Sequence, residues 1–104
     1  MPVTTLNGRD VHVDDEGFLT EYEEWDNDLG KVLASNIGID LTDDHWKVIT
    51  FLRDDYTTQG ETATIRRVAT VGGIPTKRLF ELFPKKPAKK MAYVAGLPKP
   101  HGCV

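Results

Sequence analysis

A chain of 104 residues, 39% hydrophobic and 28% charged, is long enough for one hydrophobic core and too short for two, and its composition excludes a disordered or membrane-embedded protein. No apolar run reaches bilayer-spanning length and no charged-then-apolar leader opens the chain, so a cytoplasmic protein is expected. The net charge of −3 conceals a division: residues 1–60 hold fourteen Asp/Glu and four Lys/Arg, residues 61–104 two and nine. Such a basic half attracts nucleic acid, an acidic partner or the chain's own acidic half.

Thr4-Thr5-Leu6 and Val11-His12-Val13 read as short strands around Asn7-Gly8, a dipeptide that supplies the positive φ angles of a type I′ hairpin. Asp14-Asp15-Glu16 lacks the alternating ligand spacing and terminal Glu of a calcium loop. Asp26 caps a helix carrying Leu29, Val32, Leu33 and Ile37 at three- and four-residue spacing, with Gly38 as its stop. Thr42 caps a longer one. Its stripe is Trp46, Ile49, Leu52, Arg53 and Tyr56, its second apolar face Val48 and Phe51, and Thr57 to Gly60 ends it.

Residues 62–70, the turn Val71-Gly72-Gly73-Ile74-Pro75 and residues 76–83 form a helix-turn-helix, with the second helix started by proline. After Pro84 and Pro87, residues 88–95 make a last short helix closed by Gly96. The fold class is mainly α: a small orthogonal helical bundle with an N-terminal β-hairpin. The whole chain is one domain, with residues 1–95 globular and residues 96–104 a mobile cysteine-bearing arm. The aromatic set Trp46, Phe51, Tyr56, Phe80 and Phe83 is assigned to the core.

The helix-turn-helix carries Lys77 and Arg78 early in its second helix, where DNA readers contact bases, and Arg66, Arg67, Lys85, Lys86, Lys89 and Lys90 are placed to follow phosphates. It lacks an Asn or Gln to read adenine, and a steep helix pair with solvated lysines is the plainer account. Arg66, Arg67, Lys85 and Lys86 are candidates for docking an acidic partner, and Lys99, His101 and Gly102 near the C-terminus are partner-binding candidates with them. The three histidines and one cysteine make no paired zinc spacing, no phosphate loop is present, and no nucleophile–base–orienter set is legible. No cofactor or metal is expected.

The remaining feature is Cys103, the single cysteine, in Gly96-Leu97-Pro98-Lys99-Pro100-His101-Gly102-Cys103-Val104. It excludes an intrachain disulfide and suits a reducing compartment. Two prolines favour an extended path, so the eight residues from Gly96 to Cys103 span ~25 Å at ~3.1 Å each. Gly102 removes bulk beside the thiol, Lys99 and protonated His101 favour the thiolate, and the carboxylate of Val104 opposes them.

Residues 41–56 (LTDDHWKVITFLRDDY), residues 82–89 (LFPKKPAK), residues 95–104 (AGLPKPHGCV), Asp15-Glu16-Gly17-Phe18-Leu19 and Trp25 resemble the DsrC/TusE sulfur-relay family over nearly the whole chain. The resemblance implies a helical fold with a helix-turn-helix-like portion and a flexible arm. It also implies that Cys103 accepts sulfane sulfur as a persulfide from a donor protein (TusBCD- or DsrEFH-like) and delivers it onward, with tRNA 2-thiouridine synthesis as one endpoint. Such a chain is a protein cosubstrate of sulfurtransferase type more than a classical enzyme. Members serving dissimilatory sulfite reductase carry a second cysteine eleven residues before the penultimate one. Ala92 stands there, which favours the single-cysteine, TusE-like role over an accessory role to a sulfite-reductase or sulfur-oxidation system. The link at residues 71–75 is shorter than in many bacterial members, where an insertion is associated with docking to donor complexes.

Overall fold

The computed structural model describes residues 3–6 and 8–100. Strand β1 (Val3–Leu6) pairs antiparallel with β2 (Arg9–His12), Leu6 opposite Arg9. The two-residue connection matches the hairpin expected from the sequence, and Gly8 has φ 75°; Asn7 lies outside the described residues. Val13, expected in the second strand, instead bridges Leu19. Between them Asp14 Oδ1 accepts the N–H groups of Glu16 and Phe18, so this carboxylate closes its own loop.

After a 3₁₀ turn at Tyr22–Glu24, α1 (Asn27–Asn36) begins where Asp26 accepts the Leu29 N–H at 2.9 Å. Helix α2 (Asp43–Gln59) begins with an unusual cap. The Thr42 backbone N–H donates to His45 Nδ1 at 3.0 Å, and the Thr42 hydroxyl lies 2.8 Å from the same nitrogen. A backbone N–H can only donate, so the proton of neutral His45 sits on Nε2, which donates to the Leu82 carbonyl at 2.8 Å. One histidine thus caps α2 and ties it to the end of a later helix. Gly60, at φ 74°, stops α2.

Helix α3 (Ile65–Thr70) starts three residues later than the sequence suggests. The Thr64 hydroxyl accepts the Arg67 N–H, while Thr62 is drawn elsewhere. Helix α4 (Thr76–Leu82) has Pro75 as its flanking cap residue, not inside the first turn. Helix α5 (Pro87–Val94) does start on a proline and ends through Ala95 and Gly96, where φ is 71°.

The main core joins Val48, Ile49 and Leu52 of α2 to Val68, Leu79, Phe83, Met91 and Val94. A second cluster holds Val11, Val13, Leu19, Leu29 and Leu33, and Trp25 and Tyr93 pack against both. The architecture is the mainly helical bundle with hairpin that the sequence implies. Phe80 is a correction: it is 48% exposed, because α4 turns Leu79 and Leu82 inward and leaves Phe80 facing out. Among the described residues no helix is long and apolar enough to cross a membrane.

The hairpin and the 3₁₀ turn are joined by charge. Glu24 accepts the His12 N–H at 2.8 Å and lies 2.9 Å from His12 Nδ1, and these contacts hold its carboxyl below the usual value. The Leu29 N–H, with Arg9, does the same for Asp26. A lowered native pKa contributes stability that is complete above the unfolded value and lost as pH falls through the native one. The urea midpoint should therefore drop between about pH 5 and about pH 3, and Glu24→Gln, which keeps an acceptor for His12, should flatten part of that drop. An unchanged acid profile in Glu24→Gln would show the carboxylate contributes nothing.

Candidate functional site: the root of the cysteine tail

Cys103, Gly102 and His101 lie outside the described residues, so the site is described through the segment that leads to them. Beyond Ala95 the described residues still include buried positions. Gly96 and Pro100 are buried, and Leu97 is fully so. Composition suggests an extended tail because prolines and glycines dominate it. Its course is decided instead by an apolar side chain, Leu97, that belongs to the main core.

Arg53 of α2 organises this root. Its Nη1 donates to the Ala95 carbonyl at 2.7 Å and its Nη2 to the Tyr22 carbonyl at 2.9 Å. The guanidinium faces two aromatic rings, 4.0 Å from the Tyr22 centroid and 4.2 Å from that of Trp25, a geometry favourable to a desolvated cation. Burial lowers its pKa, with Tyr22 acting in the opposite sense; an arginine so placed remains charged. Tyr22 is itself held, stacking on Tyr56 at 5.8 Å and donating its hydroxyl to the Arg53 carbonyl.

Trp25 is the second fixed point. Its indole N–H donates to the Val94 carbonyl at 2.9 Å, and its pyrrole edge lies against Gly96. A Cβ at Gly96 would stand 2.6 Å from Trp25 Cγ, so this position requires glycine both for its positive φ and for the ring beside it. Beyond it the Leu97 N–H returns to the Ala92 carbonyl, the Thr62 hydroxyl donates to the Pro98 carbonyl at 2.7 Å, and Lys99 pairs with Glu16 at 3.2 Å.

The other sequence candidates are placed apart from this root. Arg67 forms a two-pronged pair with Asp55, Nε to Oδ2 at 2.9 Å and Nη2 to Oδ1 at 2.7 Å, which raises the arginine's pKa and commits the side chain to the fold. Arg66 is exposed on α3. Lys85 and Lys86 are exposed and both have positive φ, 58° and 21°, a conformation lysines adopt only when the flanking structure imposes it. Arg78 bonds Asp44 and Glu81. A shallow cavity of about 310 Å³ lined by Glu16, Phe18, Ile37, Lys89, Lys90 and Tyr93 adjoins the Lys99–Glu16 pair. No cluster of three His, Cys, Asp or Glu fit for a metal occurs among the described residues. The sequence reading missed Tyr22, Trp25 and Thr62 as tail contacts. The sequence shows Arg53 only as a cation on an otherwise apolar helical stripe, which marks the position without revealing its partners.

A family model described as "DsrC like protein" matches residues 5–104. The chain belongs to the DsrC-like family. It is 36% identical over 106 residues to sulfurtransferase TusE of Shigella dysenteriae, covering 95% of this chain and 97% of that protein. It is 37% identical over 105 residues to the dissimilatory-type sulfite reductase subunit gamma of Nitratidesulfovibrio vulgaris, covering all of both chains. The oxidised gamma-subunit of the dissimilatory sulfite reductase (DsrC) from Archaeoglobus fulgidus superposes with a TM-score of 0.78 at 35% identity, over 99% of this chain and 100% of that one. Within this DsrC-like chain, Ala92 lies in α5 and is fully buried.

Thr62→Val keeps the shape of a buried side chain and deletes its hydroxyl donor. It should cost about 1 kcal/mol, a Tm decrease of about 4–8 °C for a domain of this size, and should speed amide exchange at Leu97. Wild-type exchange at Leu97 would show the Pro98 contact does not hold the tail.

Proposed function

We propose that this protein is a sulfur carrier in which Cys103 bears a persulfide between a donor protein and a downstream acceptor. The observation that carries the reading is the tail motif itself. Residues 96–104 carry the single cysteine of the chain at the penultimate position, on a root built into the fold by Arg53 and Trp25. Relatives named as a sulfurtransferase and as a sulfite reductase subunit support a sulfur-relay role.

The chemistry is thiol–sulfur exchange. The Cys103 thiolate attacks the outer sulfur of a donor persulfide, the donor's S–S bond breaks as a new one forms on Cys103, and the donor leaves as a thiolate. The proton stays with the transferred sulfur, and no external oxidant or reductant takes part. Delivery repeats the exchange on an acceptor thiolate.

With Ala92 at the position of the second family cysteine, sulfur travels on one thiol and not within a disulfide or trisulfide of one chain. This favours a TusE-like relay with a donor of TusBCD or DsrEFH type, ending in thiolation of a tRNA wobble uridine. The full-length match to a sulfite reductase gamma subunit favours a second reading, in which the acceptor is a sulfite-reductase-type enzyme. A DNA-reading role is disfavoured. Helix α4 is seven residues long, and its Arg78 is engaged by Asp44 and Glu81.

The test is intact mass of the reduced protein after incubation with a cysteine desulfurase, cysteine and a sulfur-transfer mediator. A gain of one sulfur atom, reversed by reductant and absent in Cys103→Ser, is expected. A gain that persists in Cys103→Ser, or no gain with donors proven active on another carrier, overturns the reading.

A further inference from the structure

We infer that Trp25 and Arg53 are positioning residues for sulfur transfer at Cys103, an inference that rests on the carrier reading above. They hold the first part of the tail to the body and so limit the volume that the thiol can sample.

Three observations converge on this assignment. First, Trp25 and Arg53 bond consecutive carbonyls at the end of α5, those of Val94 and Ala95, and the indole packs on the next residue, Gly96. Neither contact is needed to end the helix, because the Gly96 and Leu97 N–H groups already return to Tyr93 and Ala92. Second, the anchorage continues past the helix. Leu97 is fully buried, Pro98 accepts from Thr62, and Lys99 pairs with Glu16. Third, these contacts are graded. The Arg53 guanidinium bonds two carbonyls and faces two rings, whereas Lys99–Glu16 is a solvent-facing ion pair with side chains 37% and 51% exposed, the weakest kind of tether.

Reach follows from arithmetic. A tail leaving the body at Gly96 spans ~25 Å to Cys103. One leaving at Pro100 has only His101 and Gly102 before Cys103, three steps of chain or about 10–11 Å at full extension. Each backbone residue ordered in advance spares a docking partner about 1–2 kcal/mol of conformational entropy, which is preorganisation of the tail. Loosening the root should therefore weaken productive docking while leaving the sulfur exchange itself unchanged. In kinetic terms KM for the donor protein rises and kcat does not.

The experiment uses Trp25→Phe, which keeps the ring and deletes the indole N–H, and Arg53→Lys, which keeps the charge and deletes the two-carbonyl fork. Each is measured at a temperature where circular dichroism shows it folded. In the first arm a nitroxide is attached to Cys103, unique in the chain, and paramagnetic broadening of backbone amides is mapped. In wild type the broadening should stay around Pro100 and the residues that hold the segment before it, Glu16 against Lys99 and Thr62 against Pro98, and in either variant it should spread over a wider surface. In the second arm sulfur uptake from a persulfide-bearing donor protein is followed by mass. KM should rise by about fivefold, the change equivalent to one neutral hydrogen bond, with kcat and the rate of iodoacetamide alkylation of Cys103 unchanged. A broadening map identical to wild type in both variants overturns the assignment, as does an unchanged KM in variants with lowered Tm, which marks the contacts as purely stabilising. If wild type takes up no sulfur, the carrier reading fails, and the broadening map still decides whether Trp25 and Arg53 restrict the tail.

Discussion

A half-buried guanidinium with a demanding set of partners governs this fold. Arg53 sits on the inner side of α2, beside Leu52 of the core, where a cation must either find acceptors or destabilise the domain. It finds the carbonyls of Tyr22 and Ala95 and the faces of two rings. Those partners come from segments far apart in sequence, so one side chain fixes the 3₁₀ turn, the central helix and the end of α5 relative to one another. Removing it would leave two carbonyls without their donor and two rings without the cation between the hairpin side and the tail.

The charge division along the chain is answered in part within the chain. Asp44 with Arg78, Asp55 with Arg67 and Glu16 with Lys99 each join an acidic residue of the first sixty to a basic residue of the remainder. Two of the basic residues that sequence inspection would offer to a nucleic acid are therefore engaged by the protein itself. The Asp55 pair is the most consequential, since that carboxylate is buried and both its oxygens are engaged. The exposed Arg66, Lys85 and Lys86 remain the better candidates for meeting an acidic partner.

Caps were legible because their chemistry is local. Asp26, Thr42, Gly38 and Gly96 act within a few residues of where they stand, and a periodic stripe between them is enough to place a helix. The role of Arg53 was not legible. Its meaning depends on what lies across α2, which only the packing of Tyr22, Trp25 and Ala95 determines. Phe80 was misread for a related reason: a short helix with three large apolar residues in four positions cannot bury all of them, and the two neighbouring leucines took the inner side. In the tail, prolines and glycines outweighed a single leucine by count, whereas burial made that leucine decisive. The family signature at residues 95–104 carried the functional reading, since the thiol's own surroundings lie outside the described residues.

The direct run from α5 into the tail makes length itself a constrained quantity. Helix α5 and the segment to Leu97 share one continuous hydrogen-bonded path, through the Met91, Ala92 and Tyr93 carbonyls that receive Ala95, Leu97 and Gly96. Losing one residue from α5 would rotate everything after it by about 100° and draw it back by about 1.5 Å. Gly96 would leave the indole, and Pro98 and Lys99 would lose their places beside Thr62 and Glu16. The turn between α3 and α4, by contrast, lies outside this path, so insertions there would leave the geometry of the tail untouched. Change by insertion or deletion is thus open at one end of the molecule and closed at the other, and the number of residues from Pro87 to Leu97 behaves as a fixed dimension of the protein.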